Sequence, residues 1–374
     1  IRELPLMEHW QERALNILEE LGGAPATSFY EGPVAKVIES TLTTLGIPYH
    51  KDEFGNIVAK LHSHATDQNN PEATPAIAFV AHMDHPGFEI VSTEDQTLAA
   101  VALGGLPPGG YQPGLSLEII LPDNTRIPSY ISTANPEERK ANIQLPEKYD
   151  IPVPCPAVFN LIDFSIDENL IRMRALDDLA GCGSILTALE ILKDESIPSD
   201  VYGVFTRAEE VGLIGARLMA QAMTLPTDTF VVSLESSRTL PGAEMGEGPV
   251  IRVGDAGLTF NTEAETVLHK AKECLQASSN QIKIQRQLMS GGTCEASAFT
   301  LQGYRTTGIA FPLGNYHNGT PDGNIGPEFI HMQDYFGGIQ LITEAVRQVP
   351  NRDDTAFRKR ISSIPEKLSQ RLKQ

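Results

Sequence analysis

Apolar residues near the start of the chain recur every three or four positions: Met7, Trp10, Ala14, Ile17, Leu18 and Leu21. That is the period of one helical face, and Gly22-Gly23 ends it. A second such run carries Val34, Val37, Ile38, Leu42 and Leu45, with Gly46 past its end and Ser28 and Glu31 at capping-box spacing ahead of it. The pattern then changes. Tyr49 to Leu61 reads as a hairpin that turns near Phe54-Gly55-Asn56. Asp67 to Thr74 is polar and proline-bearing, and is expected to be a surface loop. Ala76 to Ala81 is a short apolar run without alternation, the mark of a strand covered on both faces.

From about Pro86 to Arg172 no long helical period appears. Short strand-like runs, Leu115 to Leu121 and Arg126 to Ser132, are separated by glycine- and proline-rich turns such as Gly104 to Gly114. This texture predicts a small all-β domain, residues 86–171, inserted into a main domain of residues 1–85 and 172–350. The main domain resumes with a helix from Asp178 to Asp194, a strand from Val201 that ends at Glu209, and a helix from Gly215 to Met223. A strand Thr229 to Leu234, a helix Glu263 to Ala277 and a strand Gln281 to Gln285 follow. Then come a short helix after Thr293 and a strand Thr307 to Phe311. A last helix carries Tyr335, Phe336, Ile339, Ile342 and Val346 on one face, and Pro350 ends it. Alternating strands and helices predict an α/β fold, a mixed and mostly parallel sheet with helices on both faces. Residues 351–374 are rich in Lys and Arg and are expected to form a basic C-terminal appendage.

Composition narrows the function. The 374 residues, 41% hydrophobic, are enough for a large core. The net charge of −19 argues against nucleic acid and against an anionic membrane as partner. No apolar run approaches the roughly 20 residues of a membrane helix, and no secretory signal pattern is visible from Ile1 onward. Cys155, Cys182, Cys274 and Cys294 show no CxxC spacing, which disfavours a thiolate zinc site. Scattered thiols of this kind fit a cytoplasmic protein.

The chemistry sits where strands end. Glu209-Glu210 follows the apolar strand 201–205 and precedes a glycine-punctuated turn into a helix. An isolated Glu-Glu is by default a solvated acidic turn. Beside a metal site, one carboxylate can bind the ion while the other moves a proton. His82 and Asp84 follow the 76–81 strand; His82 would be a ligand, and Asp84 could accept from the other ring nitrogen and orient it. Asp177-Asp178 opens a helix, where Asp177 would bridge two ions and Asp178 has helix capping as its default role. Glu235 follows the apolar run 230–234, and His317 lies in Tyr316-His317-Asn318-Gly319. Two histidines and three carboxylates, one bridging, suit Zn²⁺, or Co²⁺ or Mn²⁺.

The ordered set HMDHPGF, ALDDLAG, EEVGLIGA, LESS, GEGPVIRVGD, GGT and YHN resembles the di-zinc aminopeptidases of the tetrahedral (TET) and glutamyl- or deblocking-aminopeptidase family, in peptidase clan MH. The separation of about 95 residues between His82 and Asp177 matches that family's inserted β domain. The resemblance implies one zinc on His82, Asp177 and Glu235 and another on Asp177, Glu210 and His317. It makes Glu209 the general base toward a metal-bound water, with Asp84 orienting His82. It also implies a peptide substrate with a free N-terminus and a homo-oligomer, a dimer or a dodecamer. This chain departs from the family pattern at His85, where Glu is usual, at Leu179, where Arg is usual, and at Cys294-Glu295, where Asp follows the glycines. An amidohydrolase or deacylase acting on acylated small molecules is the alternative within the same chemistry. A non-catalytic metal-binding scaffold is the alternative outside it.

Overall fold

The structure is a computed structural model that describes residues 7–63, 74–94, 97–278 and 282–373. Its centre is an eight-stranded sheet. In spatial order the strands are Tyr49–Lys51, Ile57–Leu61, Val201–Thr206, Ile77–His82, Phe230–Arg238, Arg305–Leu313, Val250–Arg252 and Gln285–Gln287. The four central strands run parallel. The hairpin strands join one edge antiparallel. At the other edge Val250–Arg252 is antiparallel to its inner neighbour and parallel to Gln285–Gln287.

The unalternating run at 77–81 is buried throughout because both faces of the sheet are covered. Its side chains still obey the two-residue period of a strand. Ile77, Phe79 and Ala81 enter one core with the helices His9–Gly22, Leu179–Leu192, Thr262–Ala277 and Met332–Gln348. Ala78 and Val80 enter the other with the helices Ile214–Gln221 and Glu295–Thr300.

Six antiparallel strands between Gly87 and Phe159 close into a barrel. It has a core of its own, in which Phe88 packs edge-on against Tyr111 and Phe159. The chain returns through a three-stranded antiparallel sheet, Ser165–Asp167, Leu170–Met173 and Glu328–His331.

Some sequence expectations shift. The second helix is Gly32–Leu45, and its cap residue Glu31 makes no side-chain cap bond. Ser28 and Glu31 have partners elsewhere: Ser28 Oγ donates to Asp84 at 2.6 Å, and Glu31 accepts from Arg207 Nε at 2.8 Å. The strand expected to end at Glu209 stops at Thr206, which leaves the Glu-Glu pair in the turn, and the strand expected at 281–285 lies at Gln285–Gln287, with Gln281 outside the described residues. So is the loop expected at Asp67 to Thr74, apart from Thr74 itself. The last long helix ends at Gln348, one residue before a 3₁₀ turn that holds Pro350. The appendage forms two short helices, Ala356–Ser362 and Glu366–Leu372. Among the described residues no helix is long and apolar enough to cross a membrane.

Candidate active site

Parallel strands bring their carboxyl ends to one edge, and loops leaving that edge converge. The register sets Thr206 beside His82 and Ser233 beside Val80. His82, the Glu209-Glu210 turn and Glu235 therefore emerge side by side. Asp177 arrives from the loop ahead of the central helix, and His317 from the loop after Arg305–Leu313.

The distances define two overlapping sites. His82 Nε2 is 3.3 Å from Asp177 Oδ1 and 3.8 Å from Glu235 Oε1. His317 Nε2 is 3.5 Å from Glu210 Oε2 and 3.9 Å from Asp177 Oδ2. Asp177 thus has one oxygen in each group. Ligand-type atoms of His82, Asp177 and Glu235 lie within 4.8 Å of one another, and so do those of Asp177, Glu210 and His317. A third grouping joins His82 to Glu209 and Glu210.

Both imidazoles are held in one tautomer. A carbonyl oxygen only accepts, so the ring nitrogen facing it carries the hydrogen. His82 Nδ1 donates to the main-chain carbonyl of Asp84 at 2.9 Å, and His317 Nδ1 donates to that of Gly105 at 2.6 Å. In its neutral form each ring therefore turns a bare Nε2 toward Asp177. Inside the cluster His82 Nε2, Asp177 Oδ1 and Glu235 Oε2 are buried without any hydrogen-bond partner. Orphaned polar atoms cost free energy unless a ligand satisfies them. Imidazole nitrogens and carboxylate oxygens at this spacing fit divalent transition-metal ions.

Surrounding residues fix the cluster. Asp84 does so differently from expectation, because its carboxylate stands 3.7 Å from His82 Nδ1 while its main-chain carbonyl takes that bond. The carboxylate instead accepts from the backbone N–H groups of Glu209 at 2.9 Å and Glu210 at 3.2 Å. It holds the Glu-Glu turn. Asp178 accepts from Gly181 N at 3.2 Å and caps the central helix, its default role. Glu328 accepts from the N–H groups of Leu176 and Asp177 at 2.7 and 3.0 Å. Glu31 accepts from Ala208 N at 3.0 Å, just ahead of Glu209. Glu328 and Gly105 escaped sequence reasoning, and Glu31 read as a helix cap. Each acts on a partner far away in the chain, and no local spacing marks that role.

The electrostatics follow from burial. Burial first, then neighbouring carboxylates, pushes Asp177, Asp178, Glu209 and Glu210 well above the usual carboxylate range. His82 moves up, because Glu209, Asp177 and Glu235 outweigh its burial. Burial opposes ionisation of Glu235, but His82 and Arg252 hold it below its ordinary value. Burial pushes His317 down to about 4. A dry, carboxylate-rich pocket of this kind suits cations.

The departures from the family pattern take structural places. His85 accepts from Ala26 N at 3.1 Å and donates to Pro86 O at 3.0 Å. Leu179 is buried in the main core. Cys294 is buried at the start of a short helix. Glu295 is fully buried and accepts from Thr206 and Ser233, residues adjoining the Glu-Glu turn and Glu235.

Two hollows adjoin the cluster, a small recess of about 40 Å³ and a wider cleft. A recess beside Glu235 is lined by Arg238, Arg252, Leu240, Met289, Thr293 and Tyr316. A cleft of about 470 Å³ opens past Tyr316, between Pro107 and Pro108 from the barrel side and Asn315 and Phe329 from the main sheet side.

Residues 146–336 match the M42 glutamyl aminopeptidase family, and this segment includes Asp177, Glu209, Glu210, Glu235 and His317. The chain belongs to the M42 glutamyl aminopeptidase family. It is a hydrolase that acts on peptide bonds. The glutamyl aminopeptidase of Lactococcus lactis subsp. cremoris is 26% identical over 360 residues, covering 87% of this chain and 96% of that protein. Two solved structures share the M42 fold. An aminopeptidase from the archaeon Desulfurococcus kamchatkensis superposes with a TM-score of 0.75 at 23% identity, covering 91% of this chain and 96% of its own. The TET1 peptidase of Pyrococcus horikoshii gives 0.73 at 22% identity, covering 89% and 99%. That peptidase can assemble into a tetrahedron or a large octahedral shell.

Proposed function

We propose that this M42 aminopeptidase is a two-metal enzyme that removes residues from the free N-terminus of peptides. The observation that carries this reading is the pair of triads sharing Asp177, with three of their polar atoms buried and unpartnered. His82, Asp177 and Glu235 would hold one ion, and Asp177, Glu210 and His317 the other. The donor set favours Zn²⁺, with Co²⁺ or Mn²⁺ as alternatives. Bound there, the ions would supply Lewis-acid polarisation of the scissile carbonyl and lower the pKa of water.

The chain's own residues do the rest. Glu209 lies outside both triads, yet its carboxylate comes within 4.8 Å of ligand-type atoms of His82 and Glu210, one from each triad. It takes the proton from the attacking water and returns it to the leaving amine. Its carboxyl is pushed upward by burial, toward the pKa such a shuttle needs. Asp84 keeps the pair in place through its two backbone bonds. The carboxylates around the site fit a protonated α-amine. The glutamyl activity named for the Lactococcus relative supports an acidic first side chain, with Arg238 as a cation near Glu235.

The inserted unit, residues 86–171, shapes the cleft: Gly105 orients His317, and Pro107 lines the exit. Self-assembly is part of the proposal, supported by the shells reported for the Pyrococcus neighbour.

A pool of peptides, half free and half acetylated at the N-terminus, tests the reading by mass spectrometry with Zn²⁺- or Co²⁺-loaded protein. Stepwise loss of residues from the free half, absent in Glu209→Gln, is the expected result. Release of acetyl groups would make the protein a deacylase. Metal bound without turnover of either half would leave a scaffold.

A further inference from the structure

A cavity of about 440 Å³ lies between the barrel and the main domain, and none of the cluster residues lines it. Its volume falls in the roughly 300–1,000 Å³ range of small-ligand sites. One wall is the barrel, with Ile120, Leu121 and Pro156. The other is the segment between the first two helices, with Pro25, Phe29 and Tyr30. Phe29 is the unusual member. It is 51% exposed and has a positive φ of 74°, a backbone region that bulky side chains rarely occupy. Two bonds hold it there: its N–H donates to Glu31 Oε1 at 2.8 Å, and its carbonyl accepts from Arg207 Nη2 at 3.0 Å. An aromatic ring kept half in solvent on a cavity wall, against its backbone preference, points to a ligand rather than to packing.

Charge narrows the ligand. Lys36, Lys51 and Arg207 line the cavity, against the single carboxylate of Glu31. Two of the cations are matched: Lys51 Nζ is 2.9 Å from Glu39, and Arg207 Nε donates to Glu31 at 2.8 Å. Lys36 makes no ion pair among the described residues. Charges beyond a Debye length, about 8 Å at physiological ionic strength, are largely screened, so Lys36 acts on a ligand here more strongly than the distant acidic groups do. One unmatched cation beside apolar walls suits one carboxylate on an apolar body.

The cavity wall and the Glu-Glu turn share a carboxylate. Glu31 Oε1 also accepts from the N–H of Ala208 at 3.0 Å, one residue ahead of Glu209. A ligand carboxylate that draws on Arg207 competes with Glu31 and loosens that turn. We propose that the cavity binds a small monocarboxylate with an apolar body through Lys36, and that its occupancy slows turnover by way of Arg207 and Glu31.

Titration calorimetry of the Zn²⁺-loaded full chain compares 3-phenylpropionate with 3-phenylpropan-1-ol, which lacks the charge, and with acetate, which lacks the ring. The expected result is one 3-phenylpropionate bound per chain and the other two weaker by about tenfold or more, as for loss of a charge-assisted bond or of a buried ring. Lys36→Glu weakens 3-phenylpropionate by a similar factor, and Lys36→Arg retains it. In steady-state assays on a dipeptide the compound lowers kcat of the parent but not of Lys36→Glu, whose kcat without the compound equals the parent's. Equal binding of the alcohol overturns the assignment to a carboxylate. Binding that Lys36→Glu leaves unchanged, with only KM raised, puts the compound at the cluster and overturns the proposal. Lys36-dependent binding with kcat unchanged overturns the link to turnover. No binding at all, with a lower molar mass of Lys36→Glu in sedimentation, makes the cavity a contact between copies and overturns it too. Calorimetry needs no turnover, so the binding site is tested apart from the peptidase reading.

Discussion

Glu209 and Asp84 show how two carboxylates in one pocket acquire different tasks. Glu209 is bound by its backbone N–H to Asp84, which leaves its own carboxylate free to face the cluster. Asp84 spends its oxygens on Ser28, Glu209 and Glu210, and none on the imidazole it was expected to orient. Glu209→Gln should therefore lower kcat by about 10²–10⁴-fold, the usual worth of a general acid–base, with the metal content by elemental analysis unchanged. Asp84→Asn has a different signature. An amide placed where two N–H groups now find oxygens presents at least one donor to a donor, so the Glu-Glu turn shifts. The expected loss is about 10–100-fold in metal affinity, as for other residues that orient ligands, read by competition with a chelator. The two variants thus separate the proton shuttle from the ligand scaffold. The residues that the fold gathers into the cluster were legible in the sequence, because they sit at strand ends or a helix start and five such places occur in order. Glu328 was not, since its bonds to Leu176 and Asp177 span about 150 residues and leave no spacing to read.

At the scale of elements, the strands and helices were legible wherever burial imposed a period. The 77–82 strand and the central helix follow from their apolar runs, whereas the order of strands in the sheet and the closure of the barrel depend on pairings no local pattern encodes. The short segment between the first two helices illustrates the gap. Its Ser28 and Glu31 look like a capping box, yet they reach across to Asp84 and Arg207, and the segment is pinned by a bridge between Thr27 and His85. His85 accepts from Ala26 N and donates to Pro86 O, so the fold needs the neutral ring, and burial pushes it down to about 4. The unfolded chain takes up that proton near 6.5. Between those values the unfolded state binds more protons, so this contribution to stability is complete above pH 6.5 and declines as pH falls toward 4. From pH 6.5 to 5 the decline amounts to about 2 kcal/mol. His85→Gln, which keeps one donor and one acceptor, should begin less stable than the parent at pH 7 and lose less between pH 7 and 5. Urea midpoints at matched metal loading measure the difference. Parallel declines in the two proteins would exclude His85 as the source.

Across the whole molecule, barrel and sheet meet at the carboxylate–imidazole cluster. Two glycines just past the barrel strand Thr97–Leu103 make the approach, each for want of a Cβ. Gly104 adopts a positive φ of +77°, and a Cβ there would stand 3.1 Å from that of Glu210. A Cβ on Gly105 would stand 3.0 Å from Nδ1 of His317, the nitrogen its own carbonyl now accepts from. His317 is itself at a positive φ of 52° and stacks on Tyr316 with ring centroids 3.8 Å apart, so it has little room to retreat. Gly105→Ala should therefore act on one triad only. Displacing the His317 ring weakens the site of Asp177, Glu210 and His317, while His82 and Glu235 keep their positions on the main sheet and Asp177 its place ahead of the central helix. The expected result is two ions per chain in the parent. In the variant one ion remains tightly held and the affinity of the other falls by about 10-fold or more, in the range for lost ligand orientation. Titration calorimetry with Zn²⁺ distinguishes this from a general loss. Equal weakening of both sites would mean that the barrel supports the cluster as a whole, and unchanged binding would mean that it does not position His317 at all.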